Sequence, residues 1–70
     1  MDIRLLTCVI IRKHGKYLVG RIIGTDELRW SDSPYDACRT RNRDDARKLA
    51  LRVGGITMLF NPAAGQLRIM

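Results

Sequence analysis

Arginine and polar capping side chains are concentrated in the segment Arg39-Thr40-Arg41-Asn42-Arg43, and Arg47 follows four residues later. Arginine carries a planar fork of N–H donors that binds phosphate or carboxylate through two hydrogen bonds. Asn42 precedes a run with helical periodicity, and a helix start offers unpaired N–H groups and the positive end of the helix dipole. The sequence therefore predicts an anion site at a helix start, formed by Arg39, Thr40, Arg41, Asn42, Arg43 and Arg47.

The same segment also has a purely structural interpretation. Asp44 and Asp45 follow it directly, already complement the helix dipole and would repel a phosphate. Arginines that flank a helix commonly form only a solvated surface. Both interpretations stay open at the level of the sequence.

Aromatic residues precede this segment and widen the candidate site. The rings of Trp30 and Tyr35 could provide a stacking surface for a nucleobase, so Trp30 is counted among the candidate binding residues. The alternative for Trp30 is a place in the core or in an interface, because a small domain with one tryptophan generally buries most of it.

The residue types give little support to catalysis. His14 is the one histidine and stands in a predicted turn, where it would be exposed. Asp26-Glu27, Asp32 and Asp36 could gather around a divalent metal, as in a small metal-dependent nuclease. Their spacing matches no metal motif, and turn or cap roles account for the aspartates. We expect a protein without enzyme activity, bound metal or cofactor.

Length and charge bound the class of protein. The chain has 70 residues and a formal charge of +6, from 13 Lys and Arg against 7 Asp and Glu. This length predicts one domain over residues 1–70 with a small core, whose stability dimerisation would increase. The excess of arginine favours an anionic partner such as nucleic acid, a nucleotide or an acidic protein surface. A basic surface without any partner is the alternative.

Cysteine usage and hydropathy indicate a reducing compartment. Cys8 and Cys38 lack C-x-x-C spacing, and we interpret both as buried, reduced side chains. Charged residues on both sides of the first apolar run argue against a signal peptide. No stretch approaches the roughly 18 apolar residues that a membrane span needs. The expected location is the cytoplasm, with no membrane partner.

One clear helix would position the arginines. Apolar residues recur at i, i+3, i+4 and i+7 and predict a helix over 42–53 with one buried face, formed by Ala46, Leu49, Ala50 and Val53. Asn42 is suited to cap its start, and Gly54-Gly55 to end it. Ser33-Pro34 predicts a short preceding helix over 34–39, followed by a break over 40–42.

The rest of the chain is typical of β-strands. Aliphatic and β-branched residues predict strands over 3–11, 17–23, 27–30, 56–60 and 66–70, with turns at 14–15, 24–26 and 61–65. Gly20 marks a bulge or a close approach. On the fourth strand Ile56, Met58 and Phe60 are expected to face one way, and on the fifth Leu67 and Ile69 are expected to point to the core. The order β-β-β-α-β-β predicts an α+β fold, an antiparallel sheet with the main helix and the short helical turn on one face.

The first predicted strand is apolar on both faces in its middle. One face includes Val9 and Ile11, and the other includes Cys8 and Ile10. A single helix covers one face only, so we expect a second copy of the chain to cover the other and form a homodimer. The alternative is a central strand whose second face is covered by loops.

Four stretches carry a resemblance to a known group of proteins. They are Tyr17-Leu18-Val19-Gly20, LRWSDSPYDA over 28–37, RTRNR over 39–43 and GGITMLFNPAAGQL over 54–67. They resemble short uncharacterised proteins encoded in phages and prophages of Firmicutes, over most of the chain. Because these motifs define no activity, no functional residue is transferred. The resemblance implies a small phage accessory protein in the host cytoplasm. Such proteins resemble inhibitors of defence nucleases, scavengers of anionic nucleotide signals or small DNA-binding regulators.

Two functions from different classes follow. In the first, the chain is a non-catalytic module that binds nucleic acid or nucleotide phosphate through its Arg-rich helix start, with counter-defence, such as an anti-CRISPR role, as its use. In the second, it is an interaction module or inhibitor that docks its basic face on an acidic host protein. Helix-turn-helix recognition of DNA is disfavoured, because only one full helix is predicted.

Overall fold

The computed structural model describes residues 7–69 of the chain. The elements are β1 (Cys8–Lys13), β2 (Lys16–Arg21), β3 (Leu28–Ser31), a 3-10 turn (Pro34–Asp36), α1 (Arg43–Val53), β4 (Ile56–Asn61) and β5 (Gln66–Ile69). The strands form one antiparallel sheet in the order β3-β2-β1-β4-β5. The predicted α+β class and the β-β-β-α-β-β order are confirmed.

Helix α1 begins and ends where its sequence signals predict. Asn42 is the N-cap, and Gly54 ends the helix with a left-handed φ of 76°. Ala46 and Ala50 are buried, which confirms the predicted inner face of the helix. Lys13 Nζ donates a hydrogen bond to the carbonyl oxygen of Val53 at 2.8 Å, so a cation on β1 holds the negative end of the helix dipole.

The hairpin between β1 and β2 forms at the predicted turn, where His14 and Gly15 both have positive φ, 52° and 77°. Two consecutive positive φ angles give the turn the twist that suits a tight hairpin. The predicted bulge at Gly20 is confirmed by a shift of register between Leu18 and Gly20 against β3. His14 is exposed, as expected.

Strand β2 ends two residues earlier than predicted. Ile22 and Ile23 lie in the loop after it, and Ile23 is 99% exposed. The backbone N–H of Ile22 bonds to the carbonyl oxygen of Glu27 at 2.9 Å, which closes the turn at this point. At the start of the chain, residues 3–6 of the predicted first strand lie outside the described residues, whereas β1 extends two residues further than expected, to Lys13.

The strand register assigns the side chains to two faces of the sheet. Cys8 pairs with Phe60 and Ile10 with Met58, so these side chains share what we call the Phe60 face. Val9 pairs with Leu59 on the other side. This second side is the helix face, because Ile11 and Leu18 on it form one core cluster with Ala50 of α1.

The centre of the Phe60 face is buried within the single chain. Cys8, Ile10, Met58 and Phe60 are all less than 10% exposed. Tyr35 of the 3-10 turn packs its ring edge-on against Phe60, with centroids 5.1 Å apart, so this turn lies on the face opposite α1. The prediction that the turn shares a face with the main helix is wrong, because the chain crosses the sheet between the two elements. The structure thus matches the alternative of a central β1 strand covered on both sides. The homodimer stays a prediction. It was inferred from an uncovered apolar face of the first strand, but among the described residues the apolar side chains of β1 are buried on both faces.

Residues 38–40 form an insert between β1 and β2. The two strands pair at Arg12–Tyr17 and Lys13–Lys16, next to their turn. Further along, the Cys38 N–H donates to the Leu18 carbonyl oxygen at 2.9 Å, and Thr40 exchanges both backbone hydrogen bonds with Val9, at 2.7 and 3.0 Å. The insert therefore fills the gap where the two strands diverge and carries the chain from the Phe60 face to the start of α1.

This insert explains two predictions that are wrong. The short helix was expected to reach Arg39, but it is a single 3-10 turn that ends at Asp36, because the next residues must be extended to pair with the sheet. Cys38 was expected to be buried, but it is exposed, whereas Cys8 is buried as predicted. Alternation along the extended insert places Ala37, and not Cys38, in the core.

Two isoleucines of the Phe60 face are largely exposed, and one of them, Ile69, was expected to point to the core. Ile56 is 49% exposed and Ile69 is 76% exposed, although both belong to the Phe60 face with the buried Met58. Ile56 opens β4 and pairs with Arg12, and Ile69 lies at the end of the edge strand β5, so each is at the margin of the packed region. No helix in residues 7–69 is long and apolar enough to cross a membrane.

Candidate anion-binding surface

Arg39 lies on the Phe60 face and is held there by two contacts. Its guanidinium carbon is 5.8 Å from the centre of the Phe60 ring, a cation–π arrangement. Its Nη2 donates to the carbonyl oxygen of Tyr35 at 3.3 Å. These contacts give Arg39 a role in closing the core of this face, and they separate it from α1 by the thickness of the sheet.

Thr40 is part of the insert and positions the helix cap. Its backbone pairs with Val9, and its Oγ1 accepts a hydrogen bond from the Asn42 N–H at 3.1 Å. The hydroxyl thus fixes the direction in which the chain enters α1. Thr40 is half-buried, so its side chain serves local structure first.

The start of α1 already satisfies its own backbone donors. Asn42 Oδ1 accepts from the N–H groups of Asp44 and Asp45 at 3.1 and 3.2 Å. These are the donors that a bound phosphate would use, and the adjacent carboxylates add negative charge. Anion binding in this region stays a prediction, and it would depend on guanidinium groups and not on the backbone of the helix start.

Trp30 packs beside α1 on the side of the sheet that carries β3. It pairs with Leu18 across β2 and β3 and adds to the core cluster of Ile11, Leu18 and Ala50, together with Leu49. The side chain is half-buried. This placement corresponds to the core alternative for Trp30, and a stacking role for its ring stays a prediction.

Arg43 and Arg47 follow one another along one flank of α1, one turn apart. The opposite flank faces β2, because Asp45 and Leu49 line a cavity there together with Leu18. Since α1 packs on β1 and β4, the flank with Arg43 and Arg47 faces the β4–β5 side of the sheet. Both arginines are exposed.

The sheet adds a cation that the sequence reasoning did not select. Arg68 of β5 pairs with Leu59, which shares the helix face with Val9, so Arg68 lies on the same side of the sheet as α1. It is exposed. Alternation with the half-buried Leu67 is the signal that could have found it, once β5 had been placed beside β4.

Lys48 and Arg52 complete the outer side of α1 and are also exposed. We call the set the basic surface; its members are Arg43, Arg47, Lys48, Arg52 and Arg68. From residue 46 to residue 70 the sequence contains no Asp or Glu, whereas Asp44, one helical turn before Lys48, places a carboxylate beside the N-terminal end of this surface. Among the described residues, none of these cations forms an ion pair.

Of the predicted site residues, the structure brings together Arg41, Asn42, Arg43 and Arg47, at and along the start of α1. Arg41 is exposed and has interactions of its own. Arg39 and Trp30 lie elsewhere, on the Phe60 face and in the core beside β3. The predicted single site is thus spread over both faces of the sheet.

A small cavity of about 200 Å³ lies between α1, β1, β2 and the insert. Its walls are mainly apolar, with Val9, Ile11 and Leu49 among them, and Cys38 and Asp45 also line it.

The thiol of Cys8 lies on the Phe60 face, where it is buried and donates to the Phe60 carbonyl oxygen at 3.4 Å. Burial raises the pKa of Cys8, and the nearby Arg39 and Arg41 oppose this rise in part.

Metal-binding geometry is absent from residues 7–69, where no three His, Cys, Asp or Glu side chains come together in a way that could hold an ion. The fold and the basic surface together describe a small α+β protein whose helix carries exposed cations on its outer side. Comparisons with protein-family models, with curated proteins and with solved structures find no match.

Proposed function

We propose that this protein is a non-catalytic module that binds a phosphate-bearing partner, nucleic acid or a nucleotide, through the basic surface and the adjoining Arg41. The observation that carries the proposal is the exposed Arg43–Arg47 row on the flank of α1 that faces β5, with Arg68 on the same side of the sheet. Arg43, Arg47 and Arg68 form no ion pair among the described residues, so their guanidinium groups are available for phosphate at little cost.

The resemblance to phage and prophage proteins supplies the biological setting of the proposal. A small basic protein made during infection would act in the cytoplasm of the bacterial host, where nucleic acids and nucleotide signals are the abundant phosphate ligands. Counter-defence, by inhibition of a defence nuclease or by capture of a nucleotide signal, is the use that we propose.

A binding titration tests the proposal directly. Labelled DNA, RNA and a cyclic dinucleotide are titrated with the protein at low and moderate salt, and Arg43→Gln/Arg47→Gln is measured in parallel. We expect wild-type binding that weakens steeply with salt, because each neutralised phosphate releases counterions, and a large loss in the double variant. Absence of binding to every phosphate ligand at low salt would falsify the proposal.

The matched control is Arg29→Gln. Arg29 is exposed and lies on β3, at the other edge of the sheet. It directly precedes Trp30, whose side chain is on the helix face, so the alternation of side chains places Arg29 on the Phe60 face. The Arg29→Gln substitution removes one positive charge, as Arg47→Gln does, and leaves the basic surface unchanged. Equal loss in the control and in a single Arg47→Gln variant would indicate an effect of net charge only.

One further observation favours the second function, docking on an acidic protein. Leu51 is 84% exposed and lies on the outer side of α1, next to Arg47 one turn before it and to Arg52 after it. A lone apolar side chain among cations is suited to anchor a protein interface with a charged rim. Leu51→Ser would weaken such a complex strongly, whereas it would leave phosphate binding nearly unchanged.

A further inference from the structure

We infer that the nucleic acid which fits the basic surface is a duplex, bound through its phosphate backbone, and not a single strand. This inference rests on the proposed function and names its ligand more closely. It comes from what the basic surface contains and from what the fold has placed elsewhere.

The basic surface has no aromatic side chain. The chain has four aromatic residues, all of them described. Tyr17 and Phe60 are buried on the Phe60 face, Tyr35 lies on that same face and is 54% exposed, and Trp30 is half-buried beside β3. Proteins that bind single strands without sequence preference depend on aromatic rings on which the bases stack. This surface lacks that source of affinity.

The cations of α1 are spaced on a rigid support. Arg43 to Arg47 and Lys48 to Arg52 are each one helical turn, about 6 Å along the axis, and both rows belong to an element anchored on β1 and β4. Arg68 extends the charge from the helix onto the sheet. The surface therefore presents exposed cations whose backbone positions are fixed.

Cations carried on fixed backbone elements suit a ligand whose phosphates are also fixed. A duplex carries about one charge per 1.7 Å of its axis, at twice the density of one strand, and its phosphates are held in place by the helix. A flexible single strand would lose conformational entropy when it aligned with the same array, and stacking would not compensate for this loss. Affinity should therefore favour the duplex.

The test is fluorescence anisotropy with labelled duplex DNA, duplex RNA and oligo-dT of equal length, over a series of salt concentrations. We expect either duplex to bind at least about tenfold more tightly than oligo-dT, which gains no stacking. The slope of log K against log salt should be about −0.9 per contacted phosphate for the duplex, and Arg47→Gln should reduce it by about one contact.

The possible outcomes separate the inference from the proposed function. Oligo-dT binding as tightly as both duplexes overturns the inference and leaves phosphate binding intact. Failure of all the nucleic acids and of a cyclic dinucleotide to bind at low salt overturns both. A slope that Arg47→Gln and the control Arg29→Gln reduce equally also overturns the inference, because the contact would not lie on the basic surface.

Discussion

Arg39 and Arg47 are eight positions apart and have opposite roles in the structure. Arg39 stacks on Phe60 and donates to the Tyr35 carbonyl oxygen, on the face of the sheet opposite α1. Arg47 is exposed on α1 and has no ion pair among the described residues. The insert of residues 38–40 separates them, because it passes between β1 and β2 and delivers the chain to the other face. Neighbouring arginines in a basic segment thus need not belong to one site.

The largest effect should come from removal of the ring under Arg39. Phe60 is fully buried, and Phe60→Ala leaves a cavity that should lower the free energy of unfolding by about 3–5 kcal/mol. Urea denaturation followed by circular dichroism measures the change. Leu51→Ala, at an exposed position on the other side of the comparison, should change stability by less than about 0.5 kcal/mol.

A loss of this size can abolish folding of so small a domain, so Phe60→Leu is measured beside it. Leucine conserves most of the apolar volume but not the ring, and the cost should stay below about 1.5 kcal/mol. Equal stability of the wild type and Phe60→Ala would contradict the assignment of this face to the core.

The helix cap lies between the two arginines and should give the next largest effect. Asn42→Ala removes the acceptor of the Asp44 and Asp45 N–H groups and should cost about 1 kcal/mol, with Asn42→Asp restoring most of it. Binding of nucleic acid should be almost unchanged, since the guanidinium groups remain. If phosphate binding rose markedly in Asn42→Ala, the freed backbone donors would be a binding element after all.

The two arginines themselves provide the sharpest contrast. Arg39→Gln should lower stability by about 0.5–1 kcal/mol through loss of the contact with Phe60, and it should leave binding intact. Arg47→Gln should leave stability within about 0.5 kcal/mol and should weaken binding. Denaturation and anisotropy on the same protein samples measure both quantities. If instead Arg39→Gln weakened binding and Arg47→Gln lowered stability, the roles assigned to the two arginines would be reversed.

The smallest effect concerns Cys8, which shares the buried face with Phe60. Its pKa is raised from 9.0 by burial, against the opposing charges of Arg39 and Arg41. The folded state therefore binds this proton more tightly than the unfolded state, and the stabilisation is complete below the thiol's ordinary pKa and lost as the pH rises through the folded value. In a Cys38→Ala background, stability should fall more as the pH rises above 9.0, the ordinary pKa of the thiol, than in the variant that also carries Cys8→Ala.

Local sequence signals determined several elements of this protein. Asn42 and Gly54 set the ends of α1, because capping and the left-handed helix end depend on the residues themselves. The His14-Gly15 turn and the bulge at Gly20 are equally local. The alternation of apolar residues was sufficient to predict the order of the strands along the chain and the α+β class.

Only the tertiary structure decided how the candidate site is composed. The sequence places Arg39 next to Arg41, but the pairing of residues 38–40 with Val9 and Leu18 sends Arg39 to the Phe60 face. Arg68 joins the basic surface solely through the register of β5 on β4. Side-chain facing in a sheet changes with each residue of register, so long-range hydrogen bonds, which no local pattern contains, determine which charges meet.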